Sequence, residues 1–122
     1  MIQTNNKYYI EQNKLIIGDS DIVFDFPIKE FIEIGNMLIV YLDLYDKVIP
    51  LEENIFGVSL TEREIKWQIE KRKYPSGGYS KMKCPFVGIS FREKKLRLHN
   101  WCSTTLIVDP LTGRVLDEEE TR

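Results

Sequence analysis

The sequence predicts a mainly β domain of antiparallel meander hairpins. Short runs rich in β-branched and aromatic residues recur from one end to the other, and turn-forming residues separate them at short intervals. One stretch, residues 61–73, reads as a strand and as a helix. The hairpins are expected to build two packed sheets, as a sandwich or an open barrel.

The elements follow in order. Lys7–Glu11 and Leu15–Ile17 flank the turn residues Gln12, Asn13 and Lys14, a hairpin. Gly18–Asp21 turns the chain into Ile22–Phe26, and Pro27 ends that run because it has no N–H for a ladder. Phe31–Ile34 passes through Gly35-Asn36 into Met37–Leu42. That second run is apolar on both faces, so it is expected to be a central strand covered on both sides. Ile55–Val58 follows. Ile65, Trp67 and Ile69 then alternate with polar residues, which places them on one face of a strand. Thr61–Glu64 also fits a capping box, so a helix over 61–73 is the rival, although it leaves Trp67 off the Ile65/Ile69 stripe. Phe86–Phe91, Leu96–Trp101, Thr104–Val108 and Arg114–Leu116 complete the strands, and 117–122 reads as a frayed acidic tail.

With 122 residues the chain is expected to form a single domain, 1–122. Its parts are N-terminal hairpin strands (1–27), two four-strand units (28–69 and 86–116), a long basic loop between them (70–85) and the acidic tail. The two units share a strand order, offset by 50 residues between Ser59 and Asp109. The second runs Leu106-Ile107-Val108-Asp109-Pro110-Leu111-Thr112-Gly113-Arg114-Val115-Leu116. This segment resembles the blade motif of quinoprotein-like and WD-repeat-like β-propellers: apolar residues, Asp, two residues, Thr-Gly, then a strand ending in Trp. The first copy has Ser59 for the Asp and Glu62-Arg63 for Thr-Gly, with Trp67 at the Trp position; the second has Asp117 there. The resemblance implies a well-made turn between neighbouring strands and no chemistry. Two such units are too few to close a propeller. The hairpin-rich pattern also resembles small uncharacterised bacterial proteins.

Composition narrows the function. The chain is 43% hydrophobic and 30% charged, which excludes a disordered chain. No apolar run reaches the ~20 residues a membrane helix needs, and no basic-then-apolar leader opens the sequence, so a cytoplasmic protein without membrane contact is expected. Net charge is −2 but unevenly spread: residues 1–70 carry −7, 71–97 carry +8 and 98–122 carry −3.

No catalytic motif is legible, so the reading is non-enzymatic, with no cofactor and no metal. Cys84, His99 and Cys102 lack zinc-ligand spacing, and a Cys–His nucleophilic pair lacks any feature to lower the thiol pKa. Asp19, Asp21 and Asp25 lack the spacing of a calcium loop, and Ser76-Gly77-Gly78 lacks the Lys of a phosphate loop. Trp67 and Trp101 are expected to be core anchors.

The basic loop interleaves charge with aromatics. The candidate binding residues are Lys71, Arg72, Lys73, Tyr74, Tyr79, Lys81, Lys83, His99 and Trp101. The expected partner is another protein. One specific form is an immunity-type protein that neutralises a toxin through complementary charge. The alternatives are nucleic-acid or other polyanion binding through residues 71–97, and a small-ligand or enzymatic cleft near His99 and Trp101. A monomer or weak homo-oligomer is expected.

Overall fold

The computed structural model describes residues 2–4, 8–43, 54–69, 86–100 and 104–120. The basic loop residues Lys71, Arg72, Lys73, Tyr74, Tyr79, Lys81 and Lys83 lie outside them, as do Trp101, Cys84 and Cys102.

Twelve strands are described, in three antiparallel four-stranded meanders. Sheet I holds β1 (Ile2–Thr4), β2 (Tyr9–Glu11), β3 (Lys14–Ile17) and β4 (Ser20–Val23). Sheet II holds β5 (Ile28–Ile34), β6 (Met37–Leu42), β7 (Ile55–Ser59) and β8 (Glu64–Gln68). Sheet III holds β9 (Phe86–Arg92), β10 (Lys95–Asn100), β11 (Thr104–Val108) and β12 (Val115–Glu120). The mainly β, antiparallel architecture of packed sheets is as the sequence predicts. The sheets number three rather than two. The N-terminal strands do not extend an existing sheet; their three tight ladders complete one of their own.

Two cores hold the sheets face to face. Sheets I and II enclose Tyr8, Ile10, Leu15, Ile17 and Phe24 against Ile28, Leu38, Val40, Leu42, Val58 and Leu60. Sheets II and III enclose Met37, Ile39, Tyr41, Ile55, Trp67 and Ile69 against Phe86, Leu96, Leu98, Leu106 and Val108. Strand β6 therefore gives alternate residues to each core, and all six are buried, as its doubly apolar run predicts. Sheets II and III approach most closely where β9 meets β5 and β6, and Trp67 fills space between them at the far edge. Rings pack edge to face between Tyr8 and Phe31, with centroids 6.0 Å apart.

Segment 61–73 resolves in favour of the strand over its described part. The face predicted for it is partly wrong. Trp67 pairs with Gly57 but Ile65 pairs with Val58, so Lys66 is an extra residue on β8. This bulge turns Ile65 out of the Trp67 face, leaving it 41% exposed, while Trp67 and Ile69 are buried. The predicted acidic tail is also corrected: Asp117 to Glu120 extend β12 and pair with β11. An edge strand satisfies its ladder through the backbone while its acids stay in water, and that charge discourages further strand addition.

The 50-residue offset is visible in the turns. Ser59 Oγ accepts from the N–H of Glu62 at 3.0 Å, and its carbonyl accepts from Arg63 at 2.8 Å. Asp109 Oδ1 accepts from Leu111 at 2.9 Å, and its carbonyl accepts from Gly113 at 2.8 Å. Arg63 takes the left-handed conformation, φ 59°, that Gly113 takes at φ 76° in the other copy.

Buried polar groups tie the sheets together. Asn54, fully buried, precedes β7. Its Nδ2 donates to Leu42 O at 3.1 Å and Phe86 O at 2.9 Å, and its Oδ1 accepts from Phe86 N at 3.0 Å. One amide thus joins β6 to the start of β9 with both donors and the acceptor satisfied. Asn13, the residue before β3, makes a related tie: its Nδ2 donates to Phe24 O at 2.9 Å, and the neighbouring Gln12 O accepts from Ile28 N at 2.9 Å.

Candidate interaction face

The face of sheet III turned away from the core is assembled by alternation. Leu96 and Leu98 point into the core, so Arg97 and His99 point outward. In the β9–β10 ladder Lys95 lies opposite Arg92, Arg97 opposite Ser90, and His99 opposite Gly88. On the other side Arg97 lies opposite Ile107 and His99 opposite Thr105, and beyond them Asp117 and Glu119 come from β12. A cationic row on β9 and β10 is thereby separated from an acidic row by Thr105 and Ile107, both buried.

His99 is the one predicted binding residue that the described structure positions, and it is held by two hydroxyls. Its Nε2 lies 3.1 Å from Ser90 Oγ and its Nδ1 lies 3.0 Å from Thr105 Oγ1. A neutral ring donates through one nitrogen and accepts through the other, so both bonds are satisfied without a charge. Partial burial, with Arg97 and then Arg92 nearby, pushes the His99 pKa below its usual value. This supports the neutral ring. Gly88 leaves the strand beside the ring bare, where a Cβ would lie 3.8 Å from Cδ2.

Arg97 is withdrawn from solvent, with its side chain 19% exposed. Its contacts are long: Nη2 to Glu93 Oε1 at 3.7 Å, and Nη1 donating to Arg92 O at 3.4 Å. The hairpin tip between them is unusual. Glu93 and Lys94 both adopt positive φ, 55° and 65°, and neither is glycine or asparagine. Arg92, Glu93, Lys94 and Lys95 are all exposed there.

A cleft of about 440 Å³ lies elsewhere, lined by Gln68, Thr112, Gly113, Arg114 and Val115. His99 is not among its lining residues. Among the described residues no group of three or more His, Cys, Asp or Glu side chains is placed to hold a metal ion. No described helix is long and apolar enough to cross a membrane.

Sequence reasoning did not single out Ser90, Thr105 or Asn54. Ser90 and Thr105 become neighbours of His99 through strand register, and the two-residue hairpin tip was the signal available to find them. Asn54 carried no comparable signal.

The chain resembles a computationally designed protein, Ika8, whose crystal structure superimposes with a TM-score of 0.65 at 8% identity. The match covers 99% of this chain and 36% of that one, so the present chain spans little more than a third of the designed protein's length. The likeness is one of fold. Among curated proteins there is no match. A family model described as "Domain of unknown function (DUF7957)" matches residues 5–120.

Proposed function

The chain belongs to the DUF7957 family, and from that premise we propose that it is a non-enzymatic protein-interaction domain which presents the outward face of sheet III. The observation that carries this reading is the β9–β10 row of Arg92, Lys95, Arg97 and His99 on a sheet whose opposite face is locked into the core. A rigid sheet offers preformed geometry, which limits the ordering cost of association. Cations beside acids on one face suit a partner of matching pattern, where charge sets orientation and encounter rate. One specific form is an immunity-type protein in a bacterial cytoplasm that neutralises a toxin. The exposed basic hairpin tip, residues 92–95, favours polyanion binding as the second reading.

Affinity capture on the intact protein at low and high salt, beside an Arg92→Glu/Lys95→Glu variant, tests the proposal. A partner retained by the native chain, and lost with the variant and with salt, supports it. No salt-sensitive protein partner, with nucleic acid retained instead, supports the second reading. A chain that retains neither counts against both.

A further inference from the structure

Arg97 is a strong donor that is withdrawn from solvent and has only long contacts among the described residues. A guanidinium carries five N–H donors in a fixed fork suited to a carboxylate. Here it is mostly buried, yet its contacts are one ion pair of 3.7 Å and one carbonyl bond of 3.4 Å, both at the outer limit. A desolvated cation with weak partners gains much from an incoming anion. His99 stands two residues along the same strand, its ring fixed by Ser90 and Thr105. Gly88, opposite it on β9, places no side chain against the ring.

We propose that this row is a carboxylate-binding site which takes an extended acidic segment of a partner protein, with Arg97 as the bidentate receptor and Arg92, Lys95 and His99 alongside. The proposal rests on the interaction-domain reading and names the partner's chemistry. Side chains two residues apart on an extended strand lie ~7 Å apart on one face. Acids at alternate positions of the segment therefore match Lys95 and Arg97. A nucleic-acid backbone fits less well. Asp117 and Glu119 flank the row from β12, so a segment whose acids are spaced by neutral residues suits it better than a uniformly charged phosphate backbone. Among the described residues the charged groups around the site are Arg92 on β9, Lys95 on β10, Glu93 and Lys94 at the tip, and Asp117 and Glu119 on β12, while β11 places the uncharged Thr105 and Ile107 there.

The test uses the full chain, a synthetic peptide alternating Glu and Thr, its Gln-for-Glu counterpart and oligothymidylate, followed by amide NMR. The Glu peptide is expected to bind saturably, to shift Ser90, Arg97 and His99, and to raise the His99 pKa on binding. Arg97→Gln is expected to weaken it at least tenfold. The exposed pair Arg92→Gln/Lys95→Gln is expected to weaken it several-fold and stays readable if the first variant is destabilised; an unchanged Trp67 indole resonance certifies the fold. The Gln peptide is expected not to bind. Tighter binding of oligothymidylate through the same residues overturns the proposal. So does a Glu peptide that fails to bind, binds elsewhere or ignores Arg97→Gln. If a protein partner is still captured in those cases, the interaction reading stands and only this site falls.

Discussion

The indole of Trp67 on sheet II closes over Gly113 in the β11–β12 turn of sheet III, and its N–H donates to the neighbouring Pro110 carbonyl at 2.9 Å. A Cβ on Gly113 would lie 2.5 Å from the ring, and one on Gly57, beneath Trp67 in its own sheet, would overlap it. The two glycines are the space the ring occupies. Trp67→Ala is expected to cost ~3–5 kcal/mol, the range for a buried large aromatic. Gly113→Ala combines the clash with a φ of 76° and is expected to cost at least ~2 kcal/mol. Urea midpoints of the two variants check both figures.

Asn54 offers a sharper test of the tie between sheets II and III. Asn54→Leu keeps the branched shape in a bulkier side chain but leaves the Leu42 carbonyl and both backbone groups of Phe86 without the partners Asn54 gives them. Each orphaned group costs ~1–3 kcal/mol, so a loss above ~3 kcal/mol is expected. Asn54→Asp cannot donate to the two carbonyls and is expected to be no milder. Equilibrium denaturation checks both, and a loss under 1 kcal/mol contradicts the tie.

Four described residues other than glycine, Gln12, Arg63, Glu93 and Lys94, sit in a backbone region that disfavours side chains. Glu93→Asn/Lys94→Gly supplies the residues a two-residue turn of this hand prefers, and is expected to stabilise the chain by ~1 kcal/mol. Arg63→Gly relieves the same strain but removes the 2.8 Å ion pair with Asp19. That pair is solvent-exposed and worth ~0–1 kcal/mol, so the net change is expected to lie within ~1 kcal/mol of zero. Thermal melts separate the two: a clear rise for the hairpin variant and little movement for Arg63→Gly.

His99 links stability to pH with a definite sign. Its folded pKa is lowered, chiefly by burial and then by Arg97 and Arg92. The unfolded chain therefore takes up the proton first as the solution acidifies. The contribution is complete above the unfolded value of ~6.5 and is lost as pH falls through the folded value. Denaturation midpoints measured downward from pH 7 are expected to fall in the native chain. The fall should be shallower in His99→Gln, whose amide can still donate and accept.

Strand existence was legible because hydrophobic alternation and turn residues act locally. Met37–Leu42 shows this well: an unbroken apolar run has no solvent face to offer, and it has none in the fold. What sequence spacing could not show was register. One extra residue at Lys66 separated Ile65 from Trp67, and the bulge arises from pairing with β7 rather than from β8 itself. The acidic end read as a tail because its charge is unsuited to a core. Its strand comes from backbone pairing with β11, which side-chain character does not report. On the outward face of sheet III, His99 was visible as the single histidine, whereas Ser90 and Thr105 needed two ladders to bring them to it.

Strand β6 belongs to both hydrophobic cores at once. Loosening one side of it disturbs the backbone that anchors the other, so the two halves of the molecule cannot melt separately. Amide hydrogens of residues 37–42 should therefore exchange only through global opening, with one protection energy shared along the strand. Calorimetric and van't Hoff enthalpies should agree, which makes this chain of stacked sheets a single cooperative unit rather than a string of independent modules.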